Sequence, residues 1–249
     1  MRSDSTLANY RRLDSQKLIA TVQALQERVE ARFPGSGLGK VVAELQQIAE
    51  ETVARTSWIQ KPNLPLRSVA ALLSVGMIAI LVGLLTNIHQ FRLDDYVNFI
   101  QALEATIGSV VFIGAAILFL MNWETRIKRS RALKALHELR AIAHIVDMHQ
   151  LTKDPEHYTA TAAGRIGSSS KREMTPFELN RYLDYCSDAL ALISKIAALH
   201  VQEFQDTVLL NAVDDVENLT SGLSRKIWQK ITIFESMTRA GSWPDAQSG

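Results

Sequence analysis

Cysteine is almost missing from this chain: one residue, Cys186, in 249. A lone thiol excludes an intramolecular disulfide and fits a reducing compartment such as the cytosol. Glycine and proline are scarce too, 12 and 6 residues gathered at a few places, which favours long helices over strands. No charge sign dominates. Lys and Arg number 27 against 26 Asp and Glu, a net of +1, so there is no basic field to hold nucleic acid.

The most telling absence is local. From Ser68 to Ile88, and again from Ala105 to Trp123, there is no ionisable side chain. Each run is long enough for a helix rising about 1.5 Å per residue to cross a hydrocarbon core of about 30 Å. The mean hydropathy of the whole chain, +0.02, suits two spans carrying a larger water-exposed part. Polar groups in the runs are limited to small ones such as Ser74, Thr86, Asn87, Thr106, Ser109 and Asn122. Pumps and ion-coupled transporters carry a buried charge at mid-depth, and none is here. Gly76 and Gly83 in the first run, with Gly108 and Gly114 in the second, allow close helix approach, within the hairpin or between copies.

The first run begins after a long charged stretch, too late for a cleaved signal peptide, and reads as a retained anchor. Cations lie outside the hairpin: Arg55, Lys61 and Arg67 before it, and Arg126, Lys128, Arg129, Arg131 and Lys134 after it. The connecting loop, His89 to Glu104, offers Arg92 against Asp94, Asp95 and Glu104. The positive-inside tendency then makes both termini cytoplasmic, and a bacterial inner membrane is the membrane expected. Trp58 and Trp123, with Arg67 and Arg126, sit where interfacial anchors belong. The outer loop leaves no room for a sensing domain of ordinary size.

The remaining sequence is helical in pattern. Apolar residues recur at Leu18, Val22, Leu25 and Val29, are stopped by Pro34-Gly35-Ser36-Gly37, and resume at Val42, Leu45, Ile48 and Val53. Pro62 and Pro65 mark a hinge before the first span. Asp94 or Asp95 can cap a helix that runs through Val97, Ile100 and Leu103 into the second span. The same helix is expected to continue through Leu133, Leu136, Leu139, Ala143 and Val146 to Leu151. Thr152 to Met174 lacks periodicity and reads as a loop. Thr175-Pro176-Phe177-Glu178 is a capping box with proline in the first turn.

From Leu179 to Phe234 an apolar stripe runs through Cys186, Ile193, Val201, Phe204, Val208, Val216 and Ile227 with a mean spacing of about 3.7 residues, nearer an 11-residue repeat than a heptad. A straight helix of that length, folded back from Leu151, would run into the bilayer. A bend is therefore expected between Gln205 and Gly222, with Asp206 as a cap and Thr220-Ser221-Gly222 as a weaker point. The fold class is all-α: a two-helix transmembrane hairpin with a cytosolic bundle of long helices. Residues 1–61 form N-terminal cytosolic helices, 66–123 the hairpin, 124–240 the C-terminal helical region with its loop at 152–175, and 241–249 a tail.

Chemical constellations are few. His137, His144 and Asp147 share a helix face, with His149, Asp154 and His157 nearby, and such side chains can bind zinc or a related cation. The compact pairs of a metal site are missing, and a solvated face is the preferred reading. Gly164-Arg165-Ile166-Gly167-Ser168-Ser169-Ser170-Lys171 lacks the spacing and the preceding strand of a phosphate loop and reads as a modifiable linker. Leu223 to Met237 is a basic amphipathic stretch carrying Trp228, Arg225, Lys226 and Lys230. It suits a membrane interface, although packing of the same face in the bundle is preferred. Asp184, Asp188, Asp214 and Asp215 read as a solvated face, and no Ser-His-Asp or paired-carboxylate arrangement stands out.

The leading expectation is a non-enzymatic two-pass scaffold or adaptor whose cytosolic bundle self-associates or docks a cytosolic protein. The alternative is a homo-oligomeric channel or pore-forming effector gated by that bundle, and a membrane-bound metal enzyme using His144 and Asp147 comes third. Membrane lipid and a second copy are the expected partners, with no cofactor and no nucleic acid.

Overall fold

The computed structural model describes residues 12–60, 64–87, 96–151, 174–202 and 206–239. They are helical throughout, with no strand among them: α1 (Ser15–Arg32), α2 (Gly37–Gln60), α3 (Leu64–Asn87), α4 (Tyr96–Leu151), α5 (Pro176–Gln202) and α6 (Thr207–Arg239). The chain divides into two compact units, one of Met1–Gln60 with Ala132–Gly249 and one of Lys61–Arg131. The loop expected at 152–175 and the caps proposed at Asp94 and Asp95 fall largely outside the described residues.

The first unit is a helical bundle, and its caps were written locally. Asp14 accepts hydrogen bonds from the Gln16 and Lys17 amides at 3.0 and 3.2 Å and opens α1. Leu18, Val22, Leu25 and Val29 then turn inward as expected, three of them wholly buried. At the far end the Phe33 amide donates to the Val29 carbonyl, and Gly35 takes a φ of +67°, which a side chain would strain. Ser36 accepts from the Gly39 amide at 3.0 Å and starts α2. Ahead of α5, the Thr175 amide donates to Glu178 at 2.8 Å while the Glu178 amide donates to the Thr175 hydroxyl at 3.2 Å, the reciprocal pair of a capping box.

The C-terminal segment makes two helices. Asp206 accepts from the Val208 and Leu209 amides, both at 3.1 Å, and caps α6 where a bend was expected. The single stripe needs correcting. Val208 is exposed and Leu209 is buried, because the new helix restarts the phase. Inside α5 one line of buried positions, 179, 183, 186, 190, 193, 197 and 200, alternates steps of four and three beside a second at 182, 185, 189, 192, 196 and 199, and α6 keeps nearly the same rhythm at 209, 213, 216, 220, 223, 227, 231 and 234. The longer average arose from counting across the break. Steps of four and three are the spacing at which helices meet at a shallow angle. The Thr220-Ser221-Gly222 point does not break: the buried Thr220 hydroxyl donates to the Val216 and Glu217 carbonyls and the helix runs on.

Long-range contacts fix the directions within this unit. The Leu13 amide donates to Gln202 Oε1 at 2.8 Å, while Phe33 packs edge-on to Tyr182 with centroids 5.4 Å apart, so α1 and α5 are antiparallel. The His149 ring lies against Gly37, and Lys230 Nζ donates to the Gln150 carbonyl at 3.2 Å. One end of the bundle thus gathers the α1–α2 turn, the end of α4, the start of α5 and the last third of α6. α2 runs away from that end and α4 runs into it.

Gly37 is required by that packing, since a Cβ there would collide with the His149 ring. Gly37→Ala is expected to destabilise the protein by about 1–3 kcal/mol through overpacking. His149→Ala in the same chain should recover most of the loss, a coupling that chemical denaturation of the two single variants and the double variant measures.

Candidate functional site

The second unit carries its apolar side chains outward. On α3, Leu72 is 75 % exposed, and on α4 Phe112 is 81 % exposed. Val75, Ile78, Val82, Ile107, Val111, Leu118 and Phe119 are exposed as well. An 18-residue window of α4 has a mean hydropathy of 2.1 and none of it is buried. Among the described residues one helix is long and apolar enough to cross a membrane, and the stretch Ser68–Gly83 of α3 is a shorter apolar helix. The hydroxyls within these helices turn back on their own backbone. Ser74 donates to Ala70 and Ser109 to Ala105, both at 2.8 Å, while Thr86 donates to Val82 at 3.0 Å. That arrangement leaves these donors satisfied without water.

Of the interfacial candidates, Trp123 is 46 % exposed and stacks at a tilt on Phe119, and Arg126 is exposed. The side chains of Trp58 and Arg67 lie outside the described residues. Gly76, Gly83, Gly108 and Gly114 have open space around them: a Cβ built at each meets nothing within 4 Å. Close approach of the hairpin helices through these glycines therefore finds no counterpart among the described residues. Beyond Trp123, Lys128 and Glu124 pair at 2.8 Å on the same helix face of α4.

In the bundle, the expected histidine–carboxylate face does not close on a centre. His137 and His144 are exposed, Asp147 accepts from the Gln150 amide, and the His149 ring is occupied against Gly37. Among the described residues no three His, Cys, Asp or Glu side chains come together as metal ligands. Asp154 and His157 lie outside the described residues. Leu223, Ile227, Ile231 and Phe234 are buried in the bundle, and Trp228 stands 59 % exposed on its surface. Lys230 reaches the last turn of α4, where a cation meets the negative end of the helix dipole. Asp188 and Asp214 are exposed as expected, but Asp184 is partly covered, and burial pushes its carboxyl up against the opposing pull of Arg181.

Cys186 is buried and free, and loss of hydration pushes its thiol up to about 12, with the Lys230 charge pulling weakly the other way. A thiol held protonated in the core is neither a nucleophile nor a ligand at neutral pH.

One feature escaped sequence reasoning. A groove of about 640 Å³ lies between the end of α1 and the start of α5, lined by Arg28, Ala31, Arg32, Phe177, Glu178 and Tyr185 among others. Arg28 and Arg32 are one turn apart, a visible signal, but the aromatic partners lie far along the chain and only the antiparallel packing of α1 on α5 joins them. The Arg32 guanidinium sits 5.1 Å from the Phe177 ring centre and that of Arg28 5.9 Å from the Tyr185 ring centre.

Compared with protein-family models, with curated proteins and with solved structures, the chain finds no match.

Proposed function

We propose that the protein is a non-enzymatic two-pass membrane scaffold, with residues 66–123 crossing the bilayer as a hairpin and the helical bundle in the cytosol, where it self-associates or docks a partner. The observation that carries this reading is the bare apolar surface of α3 and of α4 up to Trp123, with a window of mean hydropathy 2.1 and no part of it buried. Lipid is the solvent that such a surface requires.

Three further features support it. The chain leaves the bundle after Gln60 and returns to it at Ala132, so that residues 61–131 form one excursion from it. The hydroxyls in the apolar helices bond to their own backbone. The cations gather on the two flanks of the hairpin and not in its loop, which favours cytoplasmic termini and suits a bacterial inner membrane. A self-supporting bundle with a dense apolar core and no assembled metal or nucleophile centre among its described residues is suited to presenting a surface.

Sidedness is checked with cysteines introduced singly at Asp94 and at Ser3 and challenged in intact cells with a membrane-impermeant maleimide. The buried Cys186 gives little background. Asp94→Cys should label and Ser3→Cys should label only after permeabilisation; the reverse pattern refutes the orientation. The role is checked by the mass of the full chain in nanodiscs. A discrete multiple of one chain, without ion flux when the protein is placed in liposomes, is expected of a self-associating scaffold. Conductance would replace it with the channel reading.

A further inference from the structure

The groove between α1 and α5 has the chemistry of an anion site. Arg28 and Arg32 lie four residues apart on one face of α1, where like charges repel by a few tenths of a kcal/mol unless something neutralises them. Arg28 donates from Nε to the Ala24 carbonyl at 3.2 Å and lies over Tyr185, while its charge is met loosely by Asp188 at 3.8 Å, with both side chains about half exposed. Arg32 stacks on Phe177. Stacking engages the face of a guanidinium and leaves its N–H donors directed along its edge, where a planar or tetrahedral oxyanion takes two at once.

The acid among the lining residues, Glu178, is turned back on Thr175, accepting from its amide at 2.8 Å and from its hydroxyl at 3.0 Å. Arg181 stands beside the same Phe177 ring at 5.6 Å, its own charge met by Asp184 at 3.4 Å. The groove, about 640 Å³, is shallow and open to solvent, so a ligand is held there by its charged group and not by enclosure. Phe177, 59 % exposed, offers an apolar surface beside the cations.

We propose that Arg28 and Arg32 hold the phosphate group of a small phosphorylated ligand in this groove. A soluble compound and a membrane headgroup share that chemistry, and lipid composition tells them apart.

The test is calorimetric titration of the full chain in nanodiscs with inorganic pyrophosphate. Saturable binding is expected, weakened about tenfold or more by Arg32→Gln, the loss of one charge-assisted contact. Arg32→Lys should retain part of the affinity, since the charge remains and the fork does not. Arg32 is a surface residue in the last turn of α1, so the circular dichroism spectrum should be unchanged in both variants. Arg225→Gln, which removes an exposed cation of α6, should leave binding as it was. No saturable heat, or equal weakening by Arg225→Gln, overturns the site. Equal affinity in nanodiscs of neutral and of anionic lipid assigns the site to a soluble ligand; competition by the anionic lipid assigns it to a headgroup.

Discussion

An apolar side chain left in water carries a free-energy penalty of about 25 cal/mol for each Å² it exposes, roughly 1 kcal/mol or more for a half-exposed Leu, Val or Phe. Leu72, Val75, Phe112, Leu118 and Phe119 are each more than half exposed, and many of their neighbours nearly so. Taken across α3 and the first part of α4, that penalty rivals the whole net stability of an ordinary domain, about 5–15 kcal/mol. We propose that lipid is the medium that covers this surface. The unbroken helical backbone, the hydroxyls bonded within their own turn and the charges held back until the apolar stretch has ended all suit that medium.

The bundle answers to a different solvent. Its outer helix α1 buries one stripe, Leu18, Val22, Leu25 and Val29, set between exposed Lys17, Gln23 and Glu27, whereas α5 is covered over a much wider face. Its ends are held by short polar devices at Asp14, Ser36, Thr175 and Asp206, and its last third is tied by Lys230 at the end of α4. The one thiol is shut inside. A surface groove with two stacked arginines is where this unit departs from a plain bundle.

Much of this architecture is legible in the sequence because it is written in local signals. A cap needs residues three apart, as at Thr175 and Glu178, and a buried stripe needs only the period of one helix. The continuation of α4 to Leu151 and the bend at Asp206 were readable for the same reason. What failed was phase carried across a break: Val208 fits a stripe extrapolated from α5, but α6 restarts its own register at Leu209. The roles of Lys230 and His149, and the meeting of Arg32 with Phe177, depend on which helices pack together, and no local period encodes that. Whether His137, His144 and Asp147 meet further ligands depends in the same way on a second element, and among the described residues none joins them.

The central claim, that lipid covers the apolar unit, is tested most directly by washing membranes that contain the full chain with alkaline carbonate. The account predicts that the protein stays in the membrane pellet and leaves it only with detergent. Recovery in the aqueous supernatant as a folded, monodisperse protein would contradict it, and the two-pass reading would fall with it.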